Sequence, residues 1–336
     1  MDPIPQLEFL DLRHFRALDI RALLDEENAL WRERLLWDHG DSSRLLMQYV
    51  DSHLLVGYVA LDQGKVCGYT FSVQEQAKAV IGGVFATQAA SATVPAQAVE
   101  GRLLDHLLET LCHTPGLERM EAQFLLHPHD AHRLPFEKAG FRLFPRLFLE
   151  LDLETGAGPR TPMYNEVPLL DGALRMRRWR DADFGPAAST IADAYAGHVD
   201  SEINDQYHSI AGAQTFLHNI VRFPGCGLFE PDASWVVQGP QSGNLLALLL
   251  SSRVSPEVGH ITQVCVSPGL QGKHIGRALM DAGAASLRQL GCKAVTLTVT
   301  EANHTAVGLY RRLGYRTRHI FDAMLWTHST SKTGPC

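Results

Sequence analysis

The sequence predicts an α/β (α+β) chain built from two tandem copies of one unit. Three observations predict it. Segments with two-residue apolar alternation and segments with a helical apolar period follow one another along all 336 residues. A Gly/Pro/Thr-rich stretch, Thr155-Gly156-Ala157-Gly158-Pro159-Arg160-Thr161-Pro162, interrupts this patterning near the middle. The tail of the first half, Phe136-x-x-x-Gly140-Phe141, has the spacing of Tyr310-x-x-x-Gly314-Tyr315 in the second.

In the first half, helices are expected over 11–37 and 41–51, then strands over 54–61, 65–74 and 78–86. Val99, Leu103, Leu107 and Leu111 lie in helical register and predict a helix over 98–112. A strand over 119–126, a short helix over 130–139 and a strand from Gly140-Phe141 to Asp152 close the copy. The second half begins with a strand over 173–179. Asp181 is a cap for a helix over 182–196. A polar loop over 198–205 leads to a helix over 206–222. Strands follow over 234–238, 244–253 and 258–266. A helix over 274–290 carries Ile275, Leu279, Ala282 and Leu290 on one face, and Gly291 stops it. A strand over 294–299, a helix over 303–313 ended by Gly314, and a strand over 315–326 complete the copy. The expected division is a first domain over 1–154, a linker over 155–172, a second domain over 173–328 and a tail over 329–336.

Composition narrows the function. Hydrophobic residues are 45% of the chain and charged residues 20%, enough apolar surface for two packed cores. No apolar run reaches the ~18 residues of a membrane span. The N-terminus lacks a basic region followed by an apolar stretch, so cytoplasmic residence is the default expectation. Cysteines at 67, 112, 226, 265, 292 and 336 form no Cys-x-x-Cys pair, which indicates neither a disulfide framework nor a zinc knuckle. The net charge of -7 does not suit a nucleic-acid partner. Residues 1–155 hold 14 Lys/Arg against 23 Asp/Glu, and residues 156–336 hold 16 against 14. The second half therefore suits a phosphate-bearing ligand better than the first.

The chemistry concentrates in Val266-Ser267-Pro268-Gly269-Leu270-Gln271-Gly272-Lys273-His274-Ile275-Gly276-Arg277-Ala278-Leu279. A strand ends, a glycine-bearing turn follows and a helix begins. Such a turn leaves backbone N–H groups aimed outward at a positive helix terminus, a generic anion site. Lys273 and Arg277 add charge. Taken by itself, the loop is better explained as a purely structural turn. After the next strand come Asn303, Ala306, Leu309-Tyr310 and Gly314-Tyr315.

Together, in this order, the two motifs resemble those of the GNAT N-acetyltransferase superfamily. That family's signature is Gln or Arg, two residues, Gly, one residue, then Gly or Ala. Residues 271–276 match it, with His274 in place of the first signature glycine. If that position needs positive φ, histidine is strained there. The resemblance is specific over 258–320 and extends over 173–326. It implies a mixed, mostly antiparallel twisted sheet flanked by helices in each copy. It also implies acetyl-CoA, or another acyl-CoA, as co-substrate, held by Gln271, Gly272, Lys273, His274, Ile275, Gly276, Arg277 and Ala278. The backbone of Val264, Cys265 and Val266 would hold the pantetheine and polarise the thioester, with Asn303 and Ala306 beside the arm. An amine acceptor would attack directly, and Tyr310 would protonate the departing thiolate.

Each residue also has a plainer reading. Tyr310 can be a packed aromatic, Asn303 a helix cap and Cys265 a buried strand residue. Some members of the family place a carboxylate eleven residues before the signature Gln or Arg. Here that position is His260, a competent base by its ordinary pKa of ~6.5 or a strand-end residue without a role. Glu257 acting through water is another candidate. Asp200, Glu202 and Asp205, in the loop where the family shapes its acceptor pocket, either attract a cationic amine or form a solvated loop. His127-Pro128-His129-Asp130-Ala131-His132 could bind zinc, but no further ligand is near in sequence. A surface loop capped by Asp130 is expected instead, and no metal site.

The first copy lacks a glycine from Thr87 to Ala96, and Phe136 stands where Tyr310 stands, so it is expected to be catalytically silent. The expected function is acyl-CoA-dependent transfer to a small-molecule or peptide amine by a monomer or homodimer. The rival is a non-catalytic acyl-CoA sensor. No nucleic-acid or membrane partner is expected.

Overall fold

The structure, a computed structural model, describes residues 7–89, 93–155, 166–170, 172–222, 227–239 and 244–328. The chain runs β1 (Leu7–Asp11), α1 (Ala17–Leu35), α2 (Gly40–Asp51), β2 (Val56–Asp62), β3 (Lys65–Glu75), β4 (Lys78–Ala86), α3 (Ala96–Cys112), β5 (Arg119–Gln123), α4 (Arg133–Lys138) and β6 (Arg142–Asp152). It continues through β7 (Glu166–Leu169), β8 (Leu174–Arg178), α5 (Phe184–Ala194), α6 (Val199–Ile203), α7 (Ile210–Arg222), β9 (Leu228–Phe229) and β10 (Trp235–Gln238). Then come β11 (Leu245–Ser255), β12 (Val258–Val266), α8 (Ile275–Gln289), β13 (Ala294–Thr300), α9 (His304–Arg312) and β14 (Arg316–Thr327).

Most expected elements form. Helix α1 is shorter than its apolar pattern because a 3-10 turn occupies Leu12–His14 and Leu36 ends the helix at φ 63°. The backbone N–H of Ala17 at its start is taken by Asp51 at 2.8 Å. Most of the expected linker and the whole tail lie outside the described residues. Within the linker span, Glu166–Leu169 is a strand paired with β8.

Two compact units emerge, and they do not follow the sequence halves. Unit 1 is Met1–Arg146 with Ile320–Cys336, and unit 2 is Leu147–His319. Strand β6 begins in unit 1 and ends in unit 2, while β14 does the reverse. Unit 1 orders its strands β1-β2-β3-β4-β5-β14, the last antiparallel from Ala323↔Gln123 to Thr327↔Arg119. Unit 2 orders them β6-β13-β12-β11-β10-β8-β7, with β9 against β11. The sheets are mixed and mostly antiparallel, as expected, and β4 with β5 and β12 with β13 are parallel pairs.

Each unit has its own core. In unit 1, Leu103, Leu104 and Leu107 of α3 pack with Ile81, Phe136 and Trp326. In unit 2, Leu279 and Leu287 of α8 pack with Trp235, Leu249 and Val295. Two glycines let α8 lie close to the sheet. A Cβ at Gly259 would stand 2.5 Å from Leu287, and one at Gly283 would stand 2.7 Å from Leu249.

The His127–His132 run corrects the expectation. Asp130 does not cap α4; its carboxylate accepts from Arg133 Nε at 2.7 Å, and its φ is 67°. His132 holds the cap position without a side-chain cap bond and is buried. Cys112 is disulfide-bonded, which no cysteine spacing signalled. Cys67, Cys265 and Cys292 are free and buried. Among the described residues, no helix is long and apolar enough to cross a membrane.

Candidate active site

Two strands of unit 2 start parallel and then part. The ladder between β12 and β13 runs from Val258↔Ala294 to Ile261↔Leu297 and stops there. Both strands continue, β12 to Val266 and β13 to Thr300. The cause lies on the other edge of β12. Its register with β11 shifts between Leu250↔Gln263 and Ser251↔Ile261, so Thr262 is an extra residue. Such a β-bulge bends its strand and increases its twist. Thr262 Oγ1 secures the bulge by donating to the Leu250 carbonyl at 3.1 Å.

The same device stands in unit 1. The β4–β5 ladder stops at Ile81↔Ala122, and Gly82 is the extra residue against β3. Counting from the bulges, Val84 and Ala86 correspond to Val264 and Val266. In unit 1, the Val84 carbonyl lies 2.9 Å from His127 Nε2, and the Ala86 N–H donates to Glu100 Oε1 at 3.1 Å. Those backbone groups therefore face away from β3, toward the cleft. By the strand's two-residue period, Val264 and Val266 face the cleft in unit 2. There, Gln271 Nε2 donates to the Val266 carbonyl at 3.3 Å.

Helix α8 starts at the mouth of this cleft. Its first backbone bond runs from the Ala278 N–H to the His274 carbonyl at 3.1 Å. The N–H groups of Ile275, Gly276 and Arg277 therefore lack intrahelical acceptors, as at any helix start. Gly272 (φ 77°) and His274 (φ 60°) are both left-handed, so the position does impose positive φ on histidine. Gln271, Gly272, Lys273, His274 and Arg277 are exposed, while Ile275 is buried beneath the turn. Arg277 Nε lies 3.5 Å from Asp281 on its own helix. At Gly276, a Cβ would meet only ordinary contacts, 3.6 Å from Leu309 and 3.8 Å from Val266.

Asn303 caps α9, its Oδ1 accepting from the Ala306 N–H at 3.2 Å. That use of the oxygen turns the amide nitrogen to His198 Nε2, 3.2 Å away. His198 Nδ1 lies 3.1 Å from the Asp200 backbone N–H and 3.5 Å from its carboxylate. A neutral imidazole accepts at one nitrogen only. The Asp200 backbone N–H donates to Nδ1 and so caps α6, while the direction of the Nε2 contact with Asn303 follows from the tautomer. Asp200 also accepts from the Thr300 hydroxyl at the end of β13.

Tyr310 is buried, and burial, with the Asp200 charge second, raises its phenol above its ordinary value. Its ring lies 5.9 Å from Tyr315, whose buried hydroxyl has no hydrogen-bond partner among the described residues. Tyr195 stacks on Tyr207 at 4.2 Å and donates to Gln263 Oε1 at 3.4 Å. The Gln263 amide nitrogen, just past the bulge, is buried without a hydrogen-bond partner among the described residues. Burial pushes the Cys265 thiol up to about 12, so it is no thiolate near neutrality.

His260 stands apart from this group. It lies in the still-paired part of the ladder, opposite Thr296. Its Nδ1 is 2.9 Å from Thr296 Oγ1, and its ring stacks on Phe148. Burial pushes its pKa down to about 3. Of the acidic loop, Asp200 joins the cluster, Asp205 is half-buried and Glu202 is exposed on α6. Sequence reasoning missed His198, Tyr195, Thr300 and Gln263. A histidine two residues before Asp200 was visible, but its partner Asn303 is 105 residues away.

Part of the chain is similar in sequence to known acetyltransferases, and the fold is similar to solved ones. The Acetyltransferase (GNAT) family matches residues 196–315. A mycothiol acetyltransferase of Geodermatophilus obscurus is 48% identical over 65 residues, 19% of this chain and 21% of that protein. One from Beutenbergia cavernae is 35% identical over 108 residues, 32% of this chain and 36% of that protein. The chain thus spans about a fifth to a third of the length of these relatives. Among solved structures, a GCN5-related N-acetyltransferase from Sphaerobacter thermophilus has TM-score 0.62 at 13% identity, covering 97% of both chains. A tandem GNAT protein from the clavulanic acid biosynthesis pathway has TM-score 0.55 at 13% identity, covering 98% of this chain and 100% of that one. At such identities, these structures speak to the fold.

Proposed function

We propose, from the match of residues 196–315 to the Acetyltransferase (GNAT) family, that the unit 2 cleft transfers an acetyl group from acetyl-CoA to a primary amine. The observation that carries this reading is the end of the β12–β13 ladder at Ile261↔Leu297. It leaves Val264 and Val266 as an open strand edge beside the start of α8. A pantetheine arm lies there as an added strand, and the pyrophosphate meets the N–H groups of Ile275, Gly276 and Arg277. Lys273 adds charge to that end.

The amine must shed a proton before it attacks the thioester carbon. The His198–Asp200 pair supports a base role better than His260 does. His198 is half-buried beside a carboxylate, and Asn303 and Asp200 hold its ring. His260, depressed to about 3, is a poor acceptor near neutrality. As the tetrahedral intermediate collapses, the C–S bond breaks and Tyr310 gives its proton to the thiolate. Its raised pKa keeps that proton in place across the neutral range. Asp200 adds a negative charge that favours a cationic acceptor. The relatives' name points to mycothiol chemistry, so the acceptor panel includes the amine precursors of thiols along with small amines and peptide N-termini.

Thiol release from acetyl-CoA with that panel tests the reading. Tyr310→Phe is expected to lower kcat by about 10²–10⁴-fold, the usual contribution of a positioned acid, with little change in the KM for acetyl-CoA. Tight CoA binding with no turnover on any amine would instead show a sensor.

A further inference from the structure

The cleft of unit 1 repeats the bulge and the parted strands but fills the gap with its own side chains. Glu100 reaches in from α3, and His127 and His132 come from the segment after β5. We propose that Glu100, His127 and His132 bind a divalent transition metal of the zinc class within unit 1.

The ligand atoms are already close. Glu100 Oε2 lies 3.4 Å from His132 Nε2 and 3.7 Å from His127 Nδ1, and all three atoms lie within 4.8 Å of one another. Zinc bonds of ~2.0–2.2 Å in tetrahedral array separate ligands by about 3.3–3.6 Å. His₂Glu is a known zinc donor set. An independent observation points to a ligand: His132 is 5% exposed, yet its Nε2 has no hydrogen-bond partner among the described residues. A buried polar atom without a partner is costly unless something fills the place.

The surroundings orient the ligands as outer-shell groups do at metal sites. His127 Nε2 faces the Val84 carbonyl at 2.9 Å, so that nitrogen holds the proton and Nδ1 keeps its lone pair for a metal. The Ala86 N–H fixes Glu100 Oε1, leaving Oε2 toward the histidines. Without a cation the three groups are mutually frustrated. A bound metal takes deprotonated ligands and compensates the Glu100 charge. The fourth position takes water; His127 also borders a cavity of about 250 Å³ that can supply it.

The test uses the full-length untagged chain, stripped with chelator and dialysed against Zn²⁺ or Co²⁺. Elemental analysis is expected to find about one tightly held equivalent, and Co²⁺ is expected to give the visible bands of a four-coordinate site. Glu100→Gln and His132→Gln should lose that equivalent. His129→Gln, in the neighbouring His129–Asp130–Asp322 group, should keep it. No retained metal in the wild-type chain overturns the proposal without any variant. So does an equivalent that survives in folded His132→Gln, or one that His129→Gln removes.

Discussion

His274 holds a left-handed conformation that costs an L-residue roughly 1–2 kcal/mol relative to the right-handed one. Its side chain makes no capping bond in return. His274→Gly should therefore raise Tm by roughly 2 °C in calorimetry, the remainder being offset by glycine's greater chain entropy. The histidine was legible as a departure from the motif, and so was the condition under which it would be strained. His260 was legible by position and illegible by environment. Spacing placed it near the reacting centre, but only the ladder shows it buried against Phe148 and Thr296. Its folded pKa is depressed to about 3 from the ordinary ~6.5. The stability it contributes is thus present above about pH 6.5 and is lost as pH falls toward 3. In acid titrations followed by circular dichroism, His260→Gln should unfold at lower pH than wild type. An unchanged midpoint would place the acid lability elsewhere.

At the scale of elements, the parallel pair is where inference from sequence reached its limit. Apolar alternation predicted a strand over 258–266, and its bounds match. A bulge leaves no mark in such alternation, because the extra Thr262 is an ordinary strand residue. The parting of β12 from β13 therefore became visible only in the register. The close approach of α8 to the sheet was equally hidden, since a glycine within a strand reads as weakness rather than as clearance. Gly259→Ala would drive a methyl group into Leu287, which is fully buried. It should cost about 1–3 kcal/mol, read from denaturant midpoints at unchanged slope. The Glu100, His127 and His132 cluster was missed for a similar reason. Two ligands stood in one conspicuous run, and the third lay on a helix predicted only for its apolar face.

For the molecule as a whole, the repeat was legible and the exchange of strands was not. Equal spacing in the two tails suggested that each half closes on itself. Instead, β14 completes the sheet of unit 1, where Phe321, Ala323, Met324, Leu325 and Trp326 are all buried. A division at the Gly/Pro stretch would give each half a strand the other needs. Truncation after His319 should leave the β5 edge and the surrounding core open. The shortened chain is expected to lose the cooperative unfolding transition of unit 1 and to bind hydrophobic dyes. A soluble 1–146 fragment with native-like near-ultraviolet circular dichroism would contradict this.

A strand edge without a neighbour is also a template for other chains. Unit 1 has covered its edge with a glutamate and a histidine, but the edge at Val264 and Val266 is left for a visitor to cover. The empty protein should accordingly be the more prone to self-association on warming. Saturating CoA should delay the onset of light scattering, even when no acceptor is present and no acetyl group can move.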